Sequence, residues 1–489
     1  GVWTSPTGNG SWTNVANTGS PVGWIPSGRI VLGIAPSNND VVYTLYTNGA
    51  PDGSIQADLW KYNQSSNTWT KYSGKLPDEP GGNSNGNDPL AVQGGYDLVV
   101  SVKPNDENFV VIGGTNTYKI ENITTDAMFS RIGGYRNNAG YALYDVGGTT
   151  HHPDIHVLTF DPNNPNTLIS GTDGGVHKAD ATQASVAWTN LNNNYQTYHY
   201  YHVAMDPQSG KDVVIGGAQD NGTTLGGTDA GRPDKTSMSS IWGGDGVAVA
   251  LGRDSGGNLI TYQGFQNGRF FRSTNTANTE MTPDGSTSQF VTYFYLDPDN
   301  NNAMYYAGKG TLYKTNDIEN INSSGWTSGG ILFPSFEDLR TFATTRGAYD
   351  PTSSYLFVGG SKGGVFRLLD PQNNTLSSAV NITPSGATTA NNTIVSGIAV
   401  HPTNPDIVMV VYANYGIKNI FITNNATAAS PTWTEVERNL NNHSVRSAAI
   451  AQIGSEIIYF VGTARGLYSS AEPTANDWDI EGADKMGLA

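Results

Sequence analysis

The chain has 489 residues, of which 14% are charged, and 42 acidic against 26 basic side chains give a formal net charge of −16. Nucleic-acid binding is excluded as a function class, because neutralising phosphates requires clustered lysine and arginine and the sequence has no such cluster. The absence of cysteine excludes disulfides, zinc–thiolate sites and thiol catalysis. No run approaches the roughly 20 apolar residues of a membrane-spanning helix, so no membrane span is predicted.

One pattern of strands recurs along the chain. An alternating apolar strand ends at an X-Pro turn, a second apolar strand ends in glycine, and a third strand carries an aromatic or basic residue. A Trp-Thr strand often closes the unit, at Trp12-Thr13, Trp69-Thr70, Trp188-Thr189, Trp326-Thr327 and Trp433-Thr434. Nine complete units begin near residues 28, 97, 155, 198, 245, 290, 338, 394 and 443. Roughly 45–50 residues with four short strands is the size of a β-propeller blade.

We therefore predict an all-β fold, a β-propeller of four-stranded blades with little helix. A parallel β-helix is the competing repeat fold, but its rungs are far shorter than these units. Nine and a half units exceed the four to eight blades of a usual ring. A tandem of two rings, or parts of them, is favoured over one unusually large ring. The predicted division is a partial blade at 1–27, a first group of blades at 28–244 and a second group at 245–489.

The first residues resemble half a blade. Residues 1–5 and 11–15 read as the third and fourth strands of a blade that lacks its first two. An open sheet edge of this kind pairs with other strands unless it is covered. The chain also begins without methionine and stops after Met486-Gly487-Leu488-Ala489. We therefore expect a longer chain, or another polypeptide as partner, to supply the missing strands.

Three acidic side chains lie in glycine-rich turns where chemistry is expected. Asp173, in Thr-Asp-Gly-Gly, is predicted between the second and third strands of its blade. Asp220, in Gln-Asp-Asn-Gly, and Asp245, in Gly-Asp-Gly, are predicted just after inner strands. Two carboxylates across a cleft can act as acid and base on a glycosidic bond, about 6.5–9.5 Å apart in an inverting pair. The alternative is that these residues only form turns, which Asp-Gly and Asn-Gly sequences favour by themselves.

Aromatic side chains are concentrated in the middle units, and aromatic faces stack on sugar rings as on other apolar planes. The candidate substrate-binding residues are Tyr198, Tyr201, Gln219, Asn221 and Trp242. For most of the aromatic residues, packing between blades is the alternative.

The densest group of metal-ligand type consists of His151, His152, Asp154 and His156. Imidazole and carboxylate can bind zinc, but so short a spacing specifies little, so a structural or surface role is favoured and no metal site is predicted. The Asp/Asn-rich turn at 297–302 offers oxygen ligands of the kind calcium takes, although the EF-hand spacing is absent. No cofactor is therefore predicted, and calcium stays open.

Several phrases carry a family resemblance. They include Gly28-Arg29-Ile30, Gln93-Gly94-Gly95-Tyr96-Asp97, Gly171-Thr172-Asp173-Gly174-Gly175-Val176, Gly216-Gly217-Ala218-Gln219-Asp220 and Ser396-Gly397-Ile398-Ala399-Val400-His401-Pro402. The chain resembles the BNR-repeat, sortilin-like propellers, and most closely the exported bacterial relatives of the two-propeller xyloglucanases. It departs from them in its degraded Asp-box (Ser-x-Asp-x-Gly-x-x-Trp), of which Thr315-Asn316-Asp317 keeps a fragment.

The resemblance implies a β-propeller outside the cell or on its surface. It also implies a catalytic carboxylate at Asp173, since the xyloglucanases place one in a similar Asp-x-Gly-Gly turn. Our first hypothesis is a protein that binds polysaccharide or surface glycan and hydrolyses it, using Asp173 with Asp220 or Asp245. The second is a non-catalytic surface scaffold or adhesin whose blades present binding loops.

Overall fold

The computed structural model describes residues 1–79, 89–136, 151–192, 198–332 and 337–482. Within these ranges the chain forms β-strands and short 3-10 turns, with no α-helix, and no helix there has the length and apolar character needed to cross a bilayer. The strands pair into one two-stranded and nine four-stranded antiparallel sheets. Each four-stranded sheet joins four consecutive strands in a meander, as in a propeller blade. The predicted all-β fold of four-stranded blades is confirmed.

The first compact unit, Gly1–Tyr195, contains a half-blade and three blades. The half-blade is β1 (Val2–Thr4) and β2 (Thr13–Ala16). Blade 1 is β3 (Ile30–Ile34), β4 (Val41–Thr47), β5 (Ala57–Asn63) and β6 (Thr68–Lys71). Blade 2 is β7 (Val99–Val102), β8 (Val110–Gly113), β9 (Thr117–Ile120) and β10 (Ser130–Gly133). Blade 3 is β11 (Ile155–Asp161), β12 (Asn164–Thr172), β13 (Gly175–Asp180) and β14 (Thr189–Asn190).

The second compact unit, Gln196–Ala489, contains blades 4 to 9. Blade 4 is β15 (His202–Met205), β16 (Val214–Ala218), β17 (Gly222–Gly226) and β18 (Met238–Trp242). Blade 5 is β19 (Val249–Arg253), β20 (Leu259–Gly264), β21 (Phe270–Ser273) and β22 (Asn278–Glu280). Blade 6 is β23 (Phe294–Asp297), β24 (Asn300–Ala307), β25 (Thr311–Thr315) and β26 (Thr327–Ile331).

Blade 7 is β27 (Leu339–Thr344), β28 (Tyr355–Gly360), β29 (Val365–Leu369) and β30 (Val380–Asn381). Blade 8 is β31 (Val395–Val400), β32 (Val408–Tyr412), β33 (Ile420–Thr423) and β34 (Thr434–Glu435). Blade 9 is β35 (Val445–Ile453), β36 (Glu456–Thr463), β37 (Gly466–Ser470) and β38 (Asp479–Ile480).

The boundary between the compact units falls between residues 195 and 196, whereas the sequence grouping begins its second group of blades at 245. Blade 4 therefore belongs to the second unit in the structure. The arrangement of the blades in one ring or two stays a prediction.

Apolar side chains pack between neighbouring blades. One cluster joins Tyr43 and Leu45 of blade 1 to Val100 and Ile112 of blade 2. Similar clusters join the half-blade to blade 1 and blade 2 to blade 3, and they join each neighbouring pair from blade 4 to blade 9. Because apolar burial is the main favourable term in folding, each blade is stabilised chiefly by its neighbours.

In blades 1, 3, 6 and 9 a tryptophan at or beside the fourth strand connects its blade to the preceding one. Its indole N–H donates to a backbone carbonyl at the end of the preceding fourth strand. The pairs are Trp69 to Val15 at 3.0 Å, Trp188 to Ile132 at 2.5 Å, Trp326 to Met281 at 2.8 Å and Trp478 to Val436 at 2.8 Å. This contact gives a reason for the tryptophan of Trp69-Thr70, Trp188-Thr189 and Trp326-Thr327, since alanine or leucine there would leave a carbonyl without its donor. The indole N–H of Trp433 has no such partner.

A basic side chain on the third strand connects its blade to the following one. We call Lys119, Arg272, Lys314 and Arg367 the strand-3 cations. Each donates to two backbone carbonyls in the turn after the third strand of the next blade. Arg367, for example, binds the carbonyls of Ala426 and Ala428, the latter at 2.9 Å. Charge-assisted hydrogen bonds of this kind contribute about 1.5–3 kcal/mol each.

First strands of four blades contain a β-bulge. The pairing register shifts around His156 in β11, Arg340 in β27, Ser396 in β31 and Arg446 in β35. A bulge inserts one residue into the strand and redirects its side chain.

Two histidines of blade 3 are packing residues. The His151 ring stacks on Trp188 with centroids 3.9 Å apart and lies 5.0 Å from the His177 ring. Burial lowers the pKa of His151 well below its ordinary value, and burial next to His152 lowers the pKa of His177 to about 4. Both rings are therefore neutral in the folded protein at pH 7.

We predict that replacing a strand-3 cation destabilises the protein far more than replacing an exposed arginine. Arg367→Met leaves two carbonyls without donors and should lower the free energy of unfolding by about 2–3 kcal/mol. Arg269→Met is the matched control, because Arg269 also lies over an aromatic ring and pairs with an acid but is 60% exposed; it should cost less than about 1 kcal/mol. Urea denaturation followed by tryptophan fluorescence measures both. Equal losses would contradict the prediction.

We also predict that stability falls as the pH is lowered from about 6.5 towards 4. Over this range the unfolded imidazoles bind protons while the buried ones do not, which removes at most about 1.4 kcal/mol per pH unit for each imidazole. In His151→Gln the difference between the urea midpoints at pH 7 and pH 5 should be smaller than in the wild type. The control His199→Gln changes an exposed ring and should preserve that difference. An unchanged pH dependence in His151→Gln would show that His151 does not carry the effect.

Candidate functional site

Asp173 lies at the tip of a two-residue turn between β12 and β13, as predicted. Thr172 pairs with Gly175, and Thr172 Oγ1 accepts a hydrogen bond from the Gly174 N–H at 3.1 Å. A Cβ on Gly174 would approach the His152 ring to 2.3 Å, and Gly175 has a φ of +105°. The Asp-Gly-Gly sequence is therefore required by close packing and by backbone conformation, and it presents Asp173 away from the strand pair.

The carboxylate of Asp173 is paired with His156. The Nε2 atom of His156 lies 2.5 Å from Asp173 Oδ1, and the two side chains are 30% and 16% exposed. The bulge in β11 directs His156 towards this turn. The hydrogen bond to Asp173 raises the pKa of His156 above its ordinary value. At pH values below that raised pKa the two form an ion pair that solvent reaches.

Asp154 lies behind this pair with φ at +61° and its side chain buried. Its backbone N–H donates to the Thr115 carbonyl at 2.9 Å, and Gln93 Nε2 donates to its Oδ1 at 2.8 Å. Burial, the neighbouring Asp97 and the charge of Asp173 raise the pKa of Asp154 to about 8, against the opposing effect of His156. Asp154 is therefore more readily protonated than an ordinary aspartate.

Tyr96 supplies an aromatic surface beside the imidazole. Its ring is 55% exposed, and its centroid lies 4.8 Å from that of His156 in an edge-on arrangement. Arg29 Nη1 donates to the carbonyls of Gly95 and Tyr96 at 3.0 and 3.2 Å. We call Tyr96, Asp97, Asp154, His156 and Asp173 the Asp173 site. It combines a partly exposed carboxylate, a buried carboxyl group with a raised pKa and an aromatic face, all within the first unit.

Asp220 lies in the turn between β16 and β17 of the second unit, with φ at +60°. Its backbone N–H donates to Asp245 Oδ1 at 3.0 Å. Asp245 does not directly follow an inner strand as expected. It lies in the connection between β18 and β19, because the glycine-rich segment 243–246 carries the chain from one blade to the next. Asp245 thus anchors the turn that carries Asp220.

The predicted substrate-binding residues surround this turn. The Tyr198 hydroxyl donates to the Asn221 carbonyl at 2.8 Å, and the Tyr201 hydroxyl donates to Gln219 Oε1 at 2.6 Å. Asn221 Nδ2 donates to the Gln219 carbonyl at 3.2 Å. The two tyrosine rings are 44% and 42% exposed. The two tyrosines thus bind Gln219 and Asn221 and remain partly exposed.

Trp242 ends β18 and is half-buried. Its ring stacks on Phe271 at a centroid distance of 5.4 Å and meets Phe265 edge-on at 5.5 Å. Much of this aromatic surface therefore contributes to packing between blades 4 and 5, the alternative considered for the aromatic residues.

The turn at 297–302 uses its acidic groups within the protein. Arg346 donates from Nε and Nη2 to both carboxylate oxygens of Asp299, at 2.8 and 3.0 Å. Burial raises the pKa of Asp297. The ion pair occupies the carboxylate of Asp299, and the raised pKa favours the protonated form of Asp297. Both effects disfavour calcium binding at the turn.

Sequence reasoning missed two members of the Asp173 site, Tyr96 and Asp97, and Gln93, which donates to Asp154. Gln93, Tyr96 and Asp97 stand in the phrase Gln-Gly-Gly-Tyr-Asp, which was read only as a mark of resemblance. Asp154 and His156 were grouped with His151 and His152 because they are close in sequence. In the structure His151 stacks on Trp188 and the His152 ring lies against Gly174, whereas His156 pairs with Asp173. The available clue to this segment was the pair Gly94-Gly95, which signals a tight turn directly before the aromatic Tyr96.

Comparison with solved structures shows a likeness in fold. A GH74 enzyme from Niastella koreensis superposes with a TM-score of 0.50 at 15% identity, covering 97% of this chain and 64% of that one. The GH74 xyloglucanase from Xanthomonas campestris gives a TM-score of 0.41 at 13% identity, covering 94% and 68%. This chain therefore spans less than two thirds of the Niastella enzyme. No protein-family model and no curated protein sequence matches the chain. At 15% identity the likeness to the Niastella enzyme shows the fold alone.

Proposed function

We propose that the protein binds polysaccharide and hydrolyses glycosidic bonds with carboxylates, of which Asp173 is the foremost. The observation that carries this proposal is the partly exposed Asp173 carboxylate, held by His156 at 2.5 Å near the buried Asp154, whose pKa is raised by burial. Glycoside hydrolysis uses two carboxyl groups whose environments keep one ionised and the other protonated. The likeness in fold to a GH74 enzyme supports the proposal.

The partner carboxylates proposed from the sequence are Asp220 and Asp245. Asp245 accepts the Asp220 N–H, so replacing it disturbs the turn as well as removing a charge. Asp220 is therefore the cleaner candidate for a reacting group. The resemblance of the sequence to xyloglucanases makes xyloglucan and other β-glucans the first substrates to test.

Neutral sugar hydroxyls fit the polar groups available around the Asp220 turn. Gln219 and Asn221 offer amide and carbonyl groups, and Tyr198 and Tyr201 offer open ring faces for stacking. A substrate of this size lies outside the cell, so the proposal includes an extracellular or cell-surface location. Binding without hydrolysis would instead favour the surface scaffold or adhesin.

We predict that Asp173→Asn and Asp220→Asn each lower the rate of β-glucan hydrolysis by orders of magnitude, because an amide can neither act as a base nor stabilise positive charge. Release of reducing ends measures the rate, and the melting temperature should stay nearly unchanged. The matched control is Asp180→Asn, another turn aspartate of blade 3, whose carboxylate accepts hydrogen bonds from Thr182 and Gln183. Full activity of both site variants on a confirmed substrate would show that Asp173 and Asp220 form turns and take no part in catalysis.

We predict that Tyr198→Ala weakens polysaccharide binding about tenfold, because stacking on an aromatic ring contributes up to about 1.5 kcal/mol. Titration calorimetry with soluble xyloglucan oligosaccharides measures the affinity. Tyr415→Ala removes another tyrosine of the second unit, 63% exposed, and should leave the affinity unchanged. Equal affinities for the wild type, Tyr198→Ala and Tyr415→Ala would show that the Asp220 turn is not part of the binding surface.

A further inference from the structure

Blade 9 has the backbone arrangement of the Asp173 site but carries other side chains. In each of the two blades one residue is inserted in the first strand where that strand pairs with the second, His156 in β11 and Arg446 in β35. The turn between the second and third strands is also the same. Thr463 Oγ1 accepts the N–H of Arg465 at 3.0 Å, the hydrogen bond that Thr172 makes in the corresponding turn of blade 3. The two blades thus present side chains at matching positions.

The side chains at these positions differ in charge. Ala464 donates its N–H to the Ser444 carbonyl at 3.2 Å, just as Asp173 donates to the carbonyl of Asp154 at 3.3 Å. Blade 9 therefore has alanine and serine in place of the two acids, and arginine in place of the imidazole. The next turn residue, a glycine in blade 3, is Arg465.

We call Arg446 and Arg465 the blade 9 arginines. Both are exposed. A bulge redirects the inserted side chain, and in blade 3 the same insertion brings His156 to within 2.5 Å of the side chain in the turn. Arg446 is therefore directed towards the turn that carries Arg465.

No acid neutralises the blade 9 arginines. The segments 443–447 and 463–466 contain no aspartate or glutamate. Within the described ranges no ion pair joins either guanidinium group to an acid. Like charges at neighbouring positions repel each other, so the protein alone gains nothing from this placement. A bound anion would remove the repulsion.

Blade 8 holds the segment from which Arg446 projects. Ser396 Oγ donates to the carbonyl of Val445 at 2.7 Å, and Ser444 Oγ donates to the carbonyl of Ala413. Both Ser444 and Val445 are fully buried. The backbone directly before Arg446 is thus fixed by a neighbouring blade, and a side chain on a fixed backbone loses less freedom when it binds a ligand.

We propose that the blade 9 arginines bind an oxyanion substituent of a polysaccharide, either the carboxylate of a uronic acid or a sulfate ester. A guanidinium group presents paired N–H donors in a planar fork that matches two oxygens of such an anion. The blade 9 arginines would thereby select acidic polysaccharides over neutral ones. That the anion is carried by a polysaccharide rests on the proposed function, whereas the anion site itself does not.

Titration calorimetry of the full chain with an oligogalacturonate tests the carboxylate. Arg446→Gln and Arg465→Gln should each weaken binding about tenfold or more, because each removes charge-assisted hydrogen bonds. Arg269→Gln is the matched control, since Arg269 is an exposed arginine of blade 5 that pairs with Glu280; it should leave the affinity unchanged. Added salt should weaken wild-type binding by screening the exposed charges.

Two further ligands identify the anion. A sulfated oligosaccharide that binds more tightly than the oligogalacturonate, and loses affinity in both site variants, would assign the blade 9 arginines to sulfate esters. The reverse order would assign them to uronic acids. The affinity for a neutral xyloglucan oligosaccharide should be the same in the wild type and both variants. Failure of both anionic ligands to bind, or equal affinities for them in the wild type and the variants, would overturn the proposal.

Arg446→Lys covers the case in which a glutamine variant fails to fold. It keeps the charge but loses the planar fork, so its affinity for the preferred anionic ligand should lie between those of the wild type and Arg446→Gln, or below that of the wild type where the glutamine variant cannot be measured. Wild-type affinity in Arg446→Lys would contradict paired recognition by Arg446.

Hydrolysis assays on the same proteins separate this inference from the proposed function. If anionic oligosaccharides bind through the blade 9 arginines but no polysaccharide is hydrolysed, the proposed hydrolysis fails and the anion site stands. If neutral β-glucans are hydrolysed and neither anionic ligand binds, the anion site fails and the proposed function stands.

Discussion

The structure depends on backbone carbonyls that one blade leaves open and a neighbouring blade satisfies. A buried carbonyl without a donor is costly, and here the donors are the strand-3 cations and the closing tryptophans. With 26 basic residues against 42 acidic ones, placing cations between blades leaves the remaining surface still more acidic. It also makes stability collective, because removing a blade exposes unsatisfied groups on both of its neighbours.

The repeat was predictable because its signals are local. Alternating apolar residues, X-Pro turns and Trp-Thr pairs each act within a few positions, so nine blades and a half-blade could be placed before any contact was known. The role of Trp-Thr was not predictable, since the indole partner lies in another blade, 45 residues away for Trp326 and Met281.

The candidate site was only partly predictable for the same reason. Asp173 and the turn around Asp220 follow from local turn chemistry, and the structure places them in equivalent turns of blades 3 and 4. Their surroundings come from distant segments and differ: an imidazole and buried acids surround Asp173, whereas tyrosines and Asp245 surround Asp220. No spacing within the sequence indicates that Gln93, before blade 2, donates to Asp154, before blade 3, because blade-to-blade packing brings them together.

The bulge at His156 has a consequence for how such a protein can change. Ile155 and Val157 pair with Thr172 and Gly171, which are adjacent residues, so the inserted position lies outside the ladder. Its side chain can therefore be exchanged without re-registering the sheet. Arg340, Ser396 and Arg446 occupy the corresponding insertions of blades 7 to 9 and range from cationic to neutral. Substitution of the bulged residue can thus change the chemistry of a blade without changing its fold.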